Sequence, residues 1–193
     1  MCRFNTATGK FTHFLRSQND VPFFADSTIN ALLFDGDNLL WIGTPRGLFR
    51  LDLAANEIDN IKFDSGHPTT FTSVISLEQD RHKDIWVGTV GRGVFKIHHE
   101  LINEVKQYYI RAEGAAPGPA NTINIIYNDS DNKIWLGSES LGLINVNEHA
   151  DTSIIYKNHN DVLLGQGANN VRDICEDQTG VFWIATAGAG INT

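Results

Sequence analysis

The sequence is poor in the residues that cross-link a chain or hold a metal through sulfur. It has two cysteines in 193 residues, Cys2 and Cys175, too few for a disulfide framework or for a zinc site of the usual four-ligand kind. Its one methionine is Met1, and it has five prolines. It contains no run of about 18 apolar residues that could span a bilayer as a helix. The opening stretch, MCRFNTATGKFTHFLRSQND, is polar and shows no secretory-signal core. Positive charge is scarce as well: 15 Lys and Arg stand against 23 Asp and Glu, a net charge of −8. That balance argues against a nucleic-acid or anionic-membrane surface, which needs clustered basic side chains. No stretch keeps the 3, 4, 7 apolar spacing long enough to predict a helix.

What the sequence does have is 17 glycines and four tryptophans, Trp41, Trp86, Trp135 and Trp183. The tryptophans are spaced by 45, 49 and 48 residues, the period of four-stranded propeller blades. Their flanks repeat as DGDNLLWIGT, DRHKDIWVGT, DSDNKIWLGS and DQTGVFWIAT. An aspartate precedes each tryptophan by six residues: Asp35, Asp80, Asp129 and Asp177. A small residue and then a hydroxyl follow: Gly43-Thr44, Gly88-Thr89, Gly137-Ser138 and Ala185-Thr186. A glycine comes six or seven residues after each tryptophan, at Gly47, Gly93, Gly142 and Gly190.

Each repeat reads as four short strands. An apolar first strand such as INIIYN is expected innermost. An Asp/Gly/Asn turn leads to the tryptophan strand. The glycine permits a tight turn into an alternating third strand such as GLFRLDL. A polar fourth strand such as EVKQYYI suits an outer edge. The expected fold class is therefore all-β: a β-propeller of four-stranded antiparallel blades, about four repeats belonging to a larger propeller. The divisions are a half blade at 1–14, blades at 27–63, 72–110 and 121–157, and a half blade at 169–193, where the chain stops as a third strand begins. Since 193 residues is four periods cut out of phase with the blades, an excerpt of a longer propeller is expected.

These residues resemble the two-component regulator propeller repeat, with LLWIGTPRGLFRLD at 39–52 as the nearest copy. The third copy departs from the pattern at SESLG, and the fourth has Ala185 in place of glycine. The resemblance implies a non-catalytic sensor region of a bacterial hybrid histidine kinase, located in the periplasm. It would bind an oligosaccharide, another nutrient or another small molecule and use no cofactor. The remaining blades, or another copy of the chain, would complete the ring. The kinase module itself is absent from this sequence. The rival readings are a sensor region for a diguanylate cyclase, a protein-interaction scaffold and, further off, a propeller lyase or hydrolase.

For each marked residue a plainer role competes with a functional one. The repeated aspartates read as turn caps rather than calcium loops, since DRH and DQT lack the clustered oxygens that calcium needs. The tryptophans read as packing between blades rather than sugar platforms. No histidines recur at metal-ligand spacing, and Cys175 reads as a small core residue. In a four-stranded blade, the turn after the second strand and the connection to the next blade share one end. Arg46, Arg92 and Glu139 fall in those turns, and Phe23, Phe24 and His67 in the connectors. These six are the candidate contacts for an anionic or sugar-like ligand.

Overall fold

The computed structural model of the chain describes residues 2–13, 28–63, 72–108, 110, 122–148, 152–157 and 169–192. Every regular element among them is a β-strand. A hairpin of β1 (Cys2–Asn5) and β2 (Lys10–His13) comes first. Three four-stranded antiparallel meanders follow. The first comprises β3 (Ala31–Phe34), β4 (Leu39–Thr44), β5 (Gly47–Asp52) and β6 (Glu57–Ile61). The second holds β7 (Val74–Gln79), β8 (Ile85–Thr89), β9 (Val94–Ile97) and β10 (Val105–Tyr108). The third holds β11 (Ile123–Asn128), β12 (Ile134–Ser138), β13 (Leu143–Asn147) and β14 (Thr152–Tyr156). The last sheet has β15 (Val171–Glu176), β16 (Phe182–Thr186) and β17 (Gly190–Asn192). Although the sequence stops as a third strand begins, its last residues suffice for one: Ile191 pairs with Ala185 and Gly190 with Thr186.

The blades stack face to face, with an apolar layer in each gap. Trp41, Leu48 and Ile61 of the first blade meet Val74, Ile85 and Phe95 of the second. Trp86, Val94 and Tyr108 of the second meet Ile126, Ile134 and Ile144 of the third. Trp135 and Leu143 of the third meet Val171, Ile174 and Phe182 of the last. Among the described residues, none covers the tryptophan face of the last sheet. Trp183 is 48% exposed and Ile191 71%. Cys175 pairs across the ladder with Trp183 and is exposed too. The reading of Cys175 as a core residue is thereby corrected: its column, at Leu33, Glu78 and Tyr127, is half-buried where a following sheet covers it and exposed at Cys175. At the other end of the stack, Leu32 and Phe34 of the innermost strand β3 are exposed for the same reason.

The small residue two places after the tryptophan is where the next blade touches down. A β-carbon on Gly43 would lie 2.7 Å from Val74 Cγ1 of the second blade, and one on Gly137 would lie 2.5 Å from Val171 Cγ1 of the last. One on Gly88 would meet Ser76 Oγ and the carbonyl and side chain of Ile123. Gly137→Ala is therefore expected to destabilise the chain by about 1–3 kcal/mol through overpacking. Urea denaturation measures this directly.

The innermost strands are also tied sideways. Each of β7, β11 and β15 carries a register shift near its start, between Val74 and Ser76, Ile123 and Ile125, and Val171 and Asp173. Such a bulge leaves a carbonyl outside the ladder. A side chain of the preceding blade donates to the carbonyl of Val74, Ile123 or Val171: Asn30 Nδ2 at 2.8 Å, Ser76 Oγ at 3.1 Å and Asn124 Nδ2 at 2.8 Å.

Candidate functional site

The fold has two ends, and each gathers its own set of groups. The turns after the tryptophan strands and the residues leading into the innermost strands share one end. Backbone bonds join them: Val90 N–H to Ser73 O at 3.0 Å, Glu139 N–H to Thr122 O at 3.0 Å and Ala187 N–H to Asn170 O at 2.9 Å. In the first blade Pro45 stands at this position and has no N–H to offer. The repeated hydroxyl closes the same turn. Thr44, Thr89 and Thr186 donate from Oγ1 to the carbonyls of Gly47, Gly93 and Gly190 at 3.1, 2.8 and 3.0 Å.

Three candidate residues from the sequence lie at this end, one per blade. Arg46 is half-buried and its N–H donates to Thr44 Oγ1 at 3.1 Å. Arg92 is half-buried, and its carbonyl accepts from Gln107 Nε2 at 3.0 Å. Glu139 is exposed. Phe23, Phe24 and His67 lie outside the described residues.

The opposite end is made of the aspartate turns and the turns between third and fourth strands. Here one hydrogen-bond pattern accounts for the six-residue spacing. Asp80 accepts the N–H groups of His82 and Asp84 on Oδ1, at 2.8 and 3.0 Å, and the indole N–H of Trp86 on Oδ2 at 3.0 Å. Asp35, Asp129 and Asp177 likewise cap their own turns through Oδ1. Their Oδ2 atoms accept from Trp41, Trp135 and Trp183 at 3.3, 2.7 and 3.0 Å. The hydrogen bonds from Thr179 and Trp183 hold the Asp177 carboxyl well below the usual carboxylate range. The residue three before each tryptophan adopts positive φ: Asn38 at 69°, Lys83 at 67°, Asn132 at 63° and Gly180 at 83°. Asn and Gly suit that conformation, whereas Lys83 is the costlier occupant. The turn cap was legible in the sequence. The tryptophan bond was not, although a fixed Asp-to-Trp spacing in four copies was its signal.

A second pattern joins the third strand to the tryptophan. Arg50 and Lys96 sit opposite Trp41 and Trp86 in the ladder, with their cationic groups 6.0 and 5.2 Å from the ring centroids. Lys96 goes further, holding three carboxylates at once: Asp80 at 3.0 Å, Asp84 at 3.0 Å and Glu148 of the third blade at 2.6 Å. Burial opposes the charge on its ammonium, but the bonds to Glu148, Asp80 and Asp84 outweigh that and raise its pKa. Burial likewise opposes the charge on Asp80, and the bonds from Trp86 and Lys96 outweigh it and lower its pKa. Sequence reasoning missed this cluster because Glu148 comes from another repeat and has no partner at fixed spacing.

Glu78 is a polar exception among the apolar side chains of that interface. It sits opposite Trp86, in the column that Leu33 fills opposite Trp41 and Tyr127 fills opposite Trp135. Burial raises its pKa above the ordinary 4.5. A raised carboxyl favours the protonated fold, so the penalty is present at neutral pH and vanishes as pH falls below 4.5. Glu78→Leu is expected to stabilise the chain by about 1 kcal/mol at pH 7, with a smaller gain at pH 4. Thermal melts at the two pH values test both parts.

Comparison with known proteins adds a family and a fold. Residues 24–46, 117–140 and 165–188 match the two component regulator propeller family. Each matched segment runs through an innermost strand and a tryptophan strand into the turn beyond. A histidine kinase P4 of Formosa agariphila is 26% identical over 130 residues, which is 66% of this chain and 9% of that protein. The extracellular domain of a putative hybrid two component system from B. thetaiotaomicron superposes with a TM-score of 0.77 at 20% identity, covering 98% of this chain and 24% of that one. Virginiamycin B lyase from Staphylococcus aureus reaches 0.70 at 14% identity, covering 95% of this chain and 55% of that one. The chain thus spans about a tenth of the kinase it resembles and a quarter of the sensor domain.

Proposed function

Since residues 24–46, 117–140 and 165–188 match the two component regulator propeller family, we propose that the chain works as a non-catalytic segment of an extracytoplasmic sensor propeller. The periplasm is its place in this reading, and an oligosaccharide or other nutrient is its ligand. The observation that carries the reading is the family match in three of the four repeats, together with the likeness to a histidine kinase. The ligand end in this reading is the one that collects Arg46, Arg92 and Glu139. Guanidinium groups there can bond the vicinal hydroxyls or the carboxylates of a sugar. Binding would act on a distant output only by favouring one of two arrangements of the parent protein.

The test is a calorimetric screen of this chain against neutral and acidic oligosaccharides, repeated with Arg46→Ala and Arg92→Ala. The expected result is a ligand whose affinity falls about tenfold or more in each variant, the loss of one charge-assisted bond. Unchanged affinity in both variants would move the ligand away from this end. Failure of every sugar, with capture of a protein by the same face, would favour the scaffold reading.

A further inference from the structure

We propose that a second copy of this chain completes the last sheet, inserting its β1–β2 hairpin as the missing outer strands. The hairpin is built as the third and fourth strands of a blade. Asn5 pairs with Lys10 across a four-residue turn, as Asp52 pairs with Glu57 in the first blade. Asn5 Oδ1 accepts the N–H groups of Ala7 and Thr8 at 3.0 Å, and Asp52 Oδ1 accepts those of Ala54 and Ala55 at 2.8 and 2.9 Å. Gly9 and Asn56, which end the two turns, both adopt positive φ, 65° and 56°. The match puts Arg3, Phe4 and Phe11 in the columns of Arg50, Leu51 and Ile58.

Both halves of the joint are bare. On the hairpin, Phe4 and Phe11 are exposed, whereas Ile97 and Val105 in the same columns of the second blade share an apolar layer with Trp41 and Ile61 of the first. On the receiving side, Tyr156 is 48% exposed, whereas Ile61 and Tyr108 in its column are 7% exposed. β17 pairs with β16 only as far as Asn192 opposite Ile184. Among the described residues, Phe182 and Trp183 therefore lack the third-strand partners that Leu40 and Trp41 have in Leu51 and Arg50. A strand edge left open in this way is a template for pairing. A donated β1 would continue the ladder where β17 stops. It would set Phe4 opposite Phe182 and Arg3 opposite Trp183, the place that Arg50 and Lys96 hold opposite Trp41 and Trp86. Phe4 and Phe11 would then cover Tyr156. The same joint would bring Trp183 and Ile191 of one copy against the exposed Leu32 of the next, as Trp41 and Leu48 meet Leu77, and Trp86 and Val94 meet Ile126. The occupant is a second copy because the chain carries both faces of the joint. The contact is head to tail, with one donor and one acceptor surface in each copy.

Light scattering of the chain at about 100 μM tests this, with an expected mass of two or more chains. Phe11→Lys spoils the donor surface and Ile191→Lys the acceptor. Both residues are exposed, so each variant should keep the wild-type circular dichroism and fall to the mass of a single chain. Mixed in equal amounts, the two variants should form a dimer, because the first still has an acceptor and the second still has a donor. A wild-type chain that stays monomeric, an assembly that survives either substitution, or a mixture that stays monomeric would overturn the proposal.

Discussion

Lys96→Met is expected to destabilise the chain by about 3–5 kcal/mol, the cost of leaving buried charge without its partner. Three carboxylates converge on this one ammonium, and two of them, on Asp80 and Asp84, have side chains only 1% and 9% exposed. Methionine fills a similar volume, so the loss would be electrostatic rather than a cavity. The pH dependence identifies the cause. Asp80 has a depressed pKa, so its contribution is present above the ordinary 3.8 and is lost as pH falls through the lower folded value. Lys96 has a raised pKa, so its contribution is present below 10.5 and is lost as pH rises through the higher folded value. The Asp80–Lys96 pair is thus fully charged between about pH 4 and pH 10. In Lys96→Met the carboxylates repel one another, and protonation relieves them. The stability gap between the two proteins should be widest at neutral pH and narrow toward pH 4. Urea denaturation at pH 7, 5 and 4 reads this out, and a gap independent of pH would contradict the electrostatic account.

Trp86→Ala and Trp183→Ala remove the same repeat residue and should give very different results. Trp86 is fully buried, stacked on Tyr108 at 5.2 Å and bonded to Asp80. Its loss is expected to cost about 3–5 kcal/mol. Trp183 keeps the bond to its aspartate but is 48% exposed, and its loss should cost about 1 kcal/mol. Trp86→Phe separates the two parts of the larger effect. It retains much of the ring packing and removes the N–H donor, for about 1–3 kcal/mol. Equal losses at positions 86 and 183 would show that the motif acts within its own blade and that the following blade adds nothing.

The repeat made most of the architecture legible. Aspartate, tryptophan, glycine and hydroxyl recur because each serves its own blade. The aspartate caps a turn, the hydroxyl closes the next one, and the glycine ladder allows close stacking. Such local roles leave a fixed spacing in the sequence. The Lys96 cluster left none, because it needs Asp80 and Asp84 from one repeat and Glu148 from the next. The exposure of Cys175 was misread because its column is apolar or aromatic in two of the other three copies, at Leu33 and Tyr127, and position alone does not say whether a sheet lies beyond. Arg46, Arg92 and Glu139 were placed at one end by strand order alone. The connectors that hold Phe23, Phe24 and His67 carry no repeat.

The sequence by itself determined the fold class, the strand order and the turn chemistry, because these follow from hydrogen bonds and periodicity within about 48 residues. The tertiary structure decided which of four equivalent tryptophans are core, why glycine stands beneath each following blade, and where buried charge gathers. Those properties belong to contacts between repeats. A repeat carries the pattern of its own strands, but burial and field are set by the neighbour that packs against it.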